Sequence, residues 1–96
     1  YLPLIKDSLD LAKMGIIPGG AYKNRDYVGH KVNFKNSINQ EIKDILFDPQ
    51  TSGGLLISLE EDKASKLLDL LKKNNKTDFN IIGGVKEKRE TPLEVI

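Results

Sequence analysis

The stretch that most limits what this chain can become is Phe47 to Leu59, "FDPQTSGGLLISL", which sets Pro, Thr, Ser and a Gly pair between two apolar runs. No helix continues through it, because Asp48 precedes Pro49 and a residue before proline is pushed out of the helical region. Gly53 and Gly54 then allow backbone paths closed to other residues. Two outcomes fit these constraints. One is a phosphate-gripping loop, in which unpaired backbone N–H groups converge on oxygens. The other is a turn that launches a buried strand. The Lys-Ser/Thr pair of the ordinary nucleotide loop is missing, and strand formers rather than a helix follow the glycines. The G-x-G-x-x-G spacing of a dinucleotide site is missing too. Residue chemistry alone therefore favours the turn, with Gly53-Gly54 giving a close backbone approach or a bulge where a strand begins.

Short elements flank this turn. In residues 3 to 14, "PLIKDSLDLAKM", Ile5, Leu9 and Ala12 share one face of a 3.6-residue period, which predicts a helix that Gly15 can end in the left-handed conformation. Pro18-Gly19-Gly20 predict a turn. From Ala21 to Ile38 no period persists, which predicts an exposed loop with a short extended piece at Val32 to Phe34. Ile38, Ile42 and Ile45 predict a second helix over 38 to 46, stopped by Asp48-Pro49. "LLISL", residues 55 to 59, lacks clean alternation and reads as a strand covered on both faces. Residues 61 to 73 give the clearest helix: Ala64, Leu67, Leu68 and Leu71 align, Leu70 widens the face, and acids open the helix while lysines close it. "FNIIGGVKEK" predicts another buried strand, and "TPLEVI" a returning edge strand. The expected fold is a single α/β or α+β layered domain over residues 1 to 96. Its helices would pack on a small mixed sheet, with Leu67, Leu68 and Leu71 resting on Leu55, Ile57 and Ile81.

Composition narrows the partners. Fifteen basic residues face 14 acidic ones, a net charge of +1, so no summed field draws nucleic acid or an anionic membrane. The longest uncharged run, Pro49 to Leu59, is too short and polar to span a bilayer. Without cysteine there is no disulfide, CxxC or thiolate chemistry. His30 stands alone and reads as a polar loop residue rather than a ligand. Asp7, Asp10 and Asp48 read as surface or capping acids, and Ser52 has no base to make it a nucleophile. "YKNRDYVGHK", residues 22 to 31, interleaves tyrosines with cations, but Asp26 dilutes the stripe, and an interfacial or substrate-side loop suits it better than RNA. No secretory leader is evident at the amino end, which suggests a cytoplasmic protein. The apolar ends suggest a piece of a longer one.

Three segments taken in order say more than any one. "GIIPGGAYKNRDYV", "LFDPQTSGGLLISL" and "IIGGV" resemble the carboxy-terminal part of the selenide, water dikinase (selenophosphate synthetase) family, in the superfamily that includes aminoimidazole ribonucleotide synthetase. The resemblance covers essentially the whole chain. It implies an incomplete carboxy-terminal α/β domain of the aminoimidazole ribonucleotide synthetase-like type, closing over an amino-terminal domain that binds ATP with Mg²⁺ and forms a homodimer. It also implies the family reaction, in which ATP, selenide and water give selenophosphate, AMP and phosphate. The family's catalytic Cys or selenocysteine, neighbouring Lys and Mg²⁺-holding Asp residues lie upstream of the matched segments. No catalytic or metal residue is therefore assigned here, no tightly bound cofactor is expected, and the chain alone is expected to be inactive. By position, Gly19, Gly20 and Asn24 match the family's glycine turn and following Asn. Asp48, Pro49, Gln50, Thr51, Ser52, Gly53 and Gly54 match its second loop. The resemblance implies that these loops face the nucleotide cleft, so Gly19, Gly20, Asn24, Thr51, Ser52, Gly53 and Gly54 are the candidate cofactor-binding residues. Ala21 stands where many relatives carry Thr, which removes a hydroxyl. The alternative reading is a non-catalytic interaction or dimerisation domain of an ATP-dependent enzyme.

Overall fold

The computed structural model describes residues 2–74 and 79–96. They form two units: Leu4–Thr51 with Lys86–Ile96, and Ser52–Val85 with the amino-terminal residues.

The first unit begins with α1, Ser8–Lys13, which is shorter than the period predicts. Asp7 sits at φ 66°, a left-handed conformation that a short polar side chain tolerates, and this breaks the helix ahead of Ser8. Residues 5 to 8 instead form a turn in which both the Ser8 N–H and its hydroxyl donate to the Ile5 carbonyl. Ile5 consequently points to solvent, 81% exposed, while Ala12 is buried. Gly15 ends the helix as expected, at φ 76°. The Gly15 and Ile16 N–H groups donate back to the carbonyls of Ala12 and Leu11 at 2.9 and 3.0 Å, which satisfies acceptors at the helix end.

The expected turn and loop after Pro18 is instead a helix, α2, Gly19–Val28. Pro18 fits just ahead of it, because its fixed φ suits the approach to a helix and its missing N–H leaves nothing unpaired. The segment lacks an apolar stripe because polar contacts hold much of its inner face. Ala21 is 2% exposed, and Asn24 and Arg25 bond to the next helical segment. A 3₁₀ turn, Gly29–Lys31, leads into β1, Val32–Phe34. Next comes α3, Gln40–Leu46, where the Asn39 carboxamide oxygen accepts from the Ile42 N–H at 3.3 Å and caps the amino end. At the other end of the helix Phe47 and Asp48 donate to the carbonyls of Asp44 and Ile45. The last strand, β2, Leu93–Val95, pairs parallel with β1 in the register Val32–Leu93, Asn33–Glu94, Phe34–Val95. Both short extended segments thus form where the sequence indicates. α1 packs on α3 and α2 on α3. Phe47 is 7% exposed and meets the Phe34 ring edge-on at 5.8 Å.

In the second unit α4, Glu61–Lys73, follows the predicted bounds. Ala64, Leu67, Leu68 and Leu71 form its half-buried face, whereas Leu70, expected to widen that face, is exposed. Residues 55–59 and 79–85 form no strand, which corrects the expectation of a small mixed sheet containing Leu55, Ile57 and Ile81. The sheet among the described residues has two parallel strands. Consequently α4 has no sheet of Leu55, Ile57 and Ile81 to rest on. A β-strand needs a hydrogen-bonded neighbour as well as apolar side chains. Leu55, Leu56 and Val85 are instead 87, 82 and 90% exposed.

Candidate functional site

The first glycine-bearing motif meets the "FDPQ" start of the second within the first unit, and the meeting is built from one face of α2. Residues four apart on a helix lie one above the other, so Gly20 and Asn24 present to the same neighbour. That neighbour is the end of α3 and the proline after it. A Cβ on Gly20 would lie 2.9 Å from Cγ and 3.2 Å from Cβ of Pro49, so the ring occupies the space a side chain would need. One turn on, Asn24 Nδ2 donates to the Phe47 carbonyl at 2.9 Å. A close backbone approach thus falls at Gly20, where a turn was expected. A Cβ at Gly54 would meet nothing within 4 Å, and no strand begins there. Gly19 is equally open.

A second tie lies one residue further along α2. Arg25 Nη1 donates to Asp44 Oδ1 at 3.1 Å, and Gln40 Nε2 donates to the same oxygen at 2.8 Å. The Asp44 side chain is 15% exposed against 39% for Arg25. This charge pair is better sheltered than an ordinary surface pair, and its hydrogen bonds are charge-assisted. Arg25 also lies over the Tyr22 ring, 5.1 Å from its centroid. Beside this tie is an open depression of ≈ 450 Å³, with Phe34 and Phe47 among its walls and Arg25, His30, Gln40 and Lys43 as its polar lining. Lys43 Nζ sits 5.6 Å from the Phe34 ring centroid.

The candidate residues separate into groups. Gly19 and Gly20 open α2 rather than form a turn before a loop, and Asn24 lies within that helix. Ala21 is interior to the unit, so a substrate-facing hydroxyl is not what this position lacks. Thr51 is exposed at the end of the first unit, past a tight turn in which the Gln50 N–H donates to the Asp48 carbonyl at 2.9 Å. Ser52, Gly53 and Gly54 are exposed and belong to the second unit. Among the described residues no group of three His, Asp or Glu side chains could hold a metal. His30 lies exposed in the 3₁₀ turn. Sequence reasoning missed the Arg25–Asp44–Gln40 tie. Its only local sign is the four-residue spacing of Gln40 and Asp44, since Arg25 is distant in sequence.

The fold and the docked motifs define a small α/β segment, helices on an open two-stranded sheet, with a glycine-seated proline joining its signature loops. By sequence the chain is a relative of the selenide, water dikinases. It is 49% identical over 98% of its length to selenide, water dikinase of Caldanaerobacter subterraneus subsp. tengcongensis. Over its full length it is 44% identical to that of Clostridioides difficile, and over 99% of its length it is 39% identical to selenide, water dikinase 2 of Peptoclostridium acidaminophilum. The chain spans 27, 28 and 27% of those proteins respectively. No protein-family model matches the chain. No solved structure matches it either.

Proposed function

We propose that this chain is the carboxy-terminal segment of a selenide, water dikinase, whose longer form makes selenophosphate, AMP and phosphate from ATP, selenide and water. The observation that carries the reading is identity of 49% over nearly the whole chain to a protein of that name. The direct docking of the motifs "PGGAYKN" and "FDPQ" on each other supports it. In this reading the segment is part of a domain of the aminoimidazole ribonucleotide synthetase-like type, and its partner is the amino-terminal ATP-binding domain of the same cytoplasmic, homodimeric protein. ATP and Mg²⁺ belong, in this reading, to the full-length protein, and no metal ligand is assigned to this chain. Within the first unit Gly19 and the backbone donor of Thr51 are candidate phosphate-side positions, while Gly20 and Asn24 hold the start of the second motif. Within the second unit the backbone donors of Ser52, Gly53 and Gly54 are candidates in their own right. Contacts of that kind raise turnover when they strengthen in the transition state.

The test is AMP formation from ATP with selenide, measured for the full-length protein and for this chain alone. The expected result is activity in the first and none in the second, and activity in the chain alone would overturn the proposal. A second reading, a non-catalytic interaction or dimerisation domain, draws on the exposed Leu55, Leu56 and Val85. A full-length protein that self-associates through this segment in sedimentation, yet makes no AMP, would favour it.

A further inference from the structure

We infer that Asn24 is a positioning residue for the "DPQTSGG" loop rather than a substrate ligand, an inference that rests on the proposed phosphate-side role of that loop. The loop leaves the end of α3 at Phe47, whose carbonyl is one of the acceptors a helix end leaves without an intrahelical partner. Asn24 supplies that partner at 2.9 Å. The Phe47 side chain is held as well, 7% exposed and edge-on to Phe34. The peptide from which the loop departs is therefore fixed on both sides. Two residues on, Pro49 has no N–H to bond and is located by shape, its ring lying where a Gly20 side chain would stand. Arg25, gripping Asp44 at 3.1 Å, ties α2 to the body of α3 just before this point. Gly20, Asn24 and Arg25 thus work as a clamp on one helix, and the part of the loop they set is Asp48–Thr51. Asn24 does so with a donor already committed to protein.

The test uses the full-length protein carrying Asn24→Ala, Asn24→Asp or Asn24→Gln, with two measurements on each. Hydrogen exchange by mass spectrometry reads the hydrogen-bonded amides of Asp48 and Gln50, with α4 as the internal reference. Steady-state AMP formation reads kcat and KM for ATP. The expected result is exchange about tenfold faster at those amides in Asn24→Ala and Asn24→Asp, since neither side chain can donate to the Phe47 carbonyl. α4 should be unchanged. kcat should fall about tenfold with KM for ATP within about threefold, and Asn24→Gln, which keeps the amide donor, should recover most of both. Unchanged exchange at these amides would overturn the inference, as would KM rising with kcat kept. If the wild-type protein forms no AMP, the proposed function fails, and the exchange measurement alone still decides whether Asn24 holds the loop.

Discussion

Adjacent glycines at the start of α2 should respond to alanine in opposite directions, and the reason lies in what surrounds each. A Cβ at Gly19 would meet nothing within 4 Å, whereas one at Gly20 would lie 2.9 Å from Pro49 Cγ. Alanine in place of glycine inside a helix gains up to about 1 kcal/mol, largely because the unfolded chain has less freedom to lose. At Gly19 that gain stands alone. At Gly20 it is opposed by forcing a methyl group against a ring, and overpacking of this kind costs about 1–3 kcal/mol. The ring belongs to the backbone cycle and cannot swing aside as a long side chain would. The net change is therefore about 1 kcal/mol destabilising for Gly20→Ala and about 0.5–1 kcal/mol stabilising for Gly19→Ala. Native-state hydrogen exchange of the α2 amides measures both, because local opening sets their protection. Protection should fall about fivefold in Gly20→Ala and rise up to about fivefold in Gly19→Ala. Equal protection in the two variants would refute the reasoning, for it would mean that Pro49 does not rest on Gly20.

Other substitutions test other parts of the fold. Asn39→Ala should cost about 1 kcal/mol at α3 by removing the side-chain acceptor of the Ile42 N–H, seen as faster exchange at Ile42. Gly15→Ala should destabilise the end of α1 by about 1–2 kcal/mol, through backbone strain alone, because φ is 76° and a Cβ there would meet nothing. The check is the population of α1 in backbone chemical shifts. Asp44→Ala should loosen α2 on α3 by about 1 kcal/mol, since Arg25 and Gln40 both lose their acceptor, and α2 should exchange faster while α4 does not.

The elements that could be read ahead of the structure are those whose signal is local. α4 carries its apolar face, its acidic first turn and its lysine-rich last turn within one span, and it forms over Glu61–Lys73. α3 has its cap and its stop beside it in Asn39 and Asp48-Pro49. The helix at Gly19–Val28 was not legible because two of its inner-face side chains are polar and find partners far along the chain, at Phe47 and Asp44. Residues 55–59 misled for the converse reason: an apolar run of Leu and Ile after a glycine turn announces a buried strand, but pairing depends on a backbone neighbour that no local pattern encodes. For the candidate site, the sequence indicated which two motifs matter. It did not reveal that Gly20, rather than Gly54, is a residue against which the chain packs.

The exposure of Leu55 and Leu56 also bears on how the chain behaves in a tube or a cell. "GLLISL" is short, uncharged, free of proline and rich in β-formers, the composition from which intermolecular cross-β stacks nucleate. Natural proteins place charged gatekeepers beside such windows, and here Glu60, Glu61 and Asp62 follow at once. Produced by itself, the polypeptide should be limited by colloidal solubility before it is limited by melting, and replacing Glu60, Glu61 and Asp62 with neutral residues should hasten its precipitation.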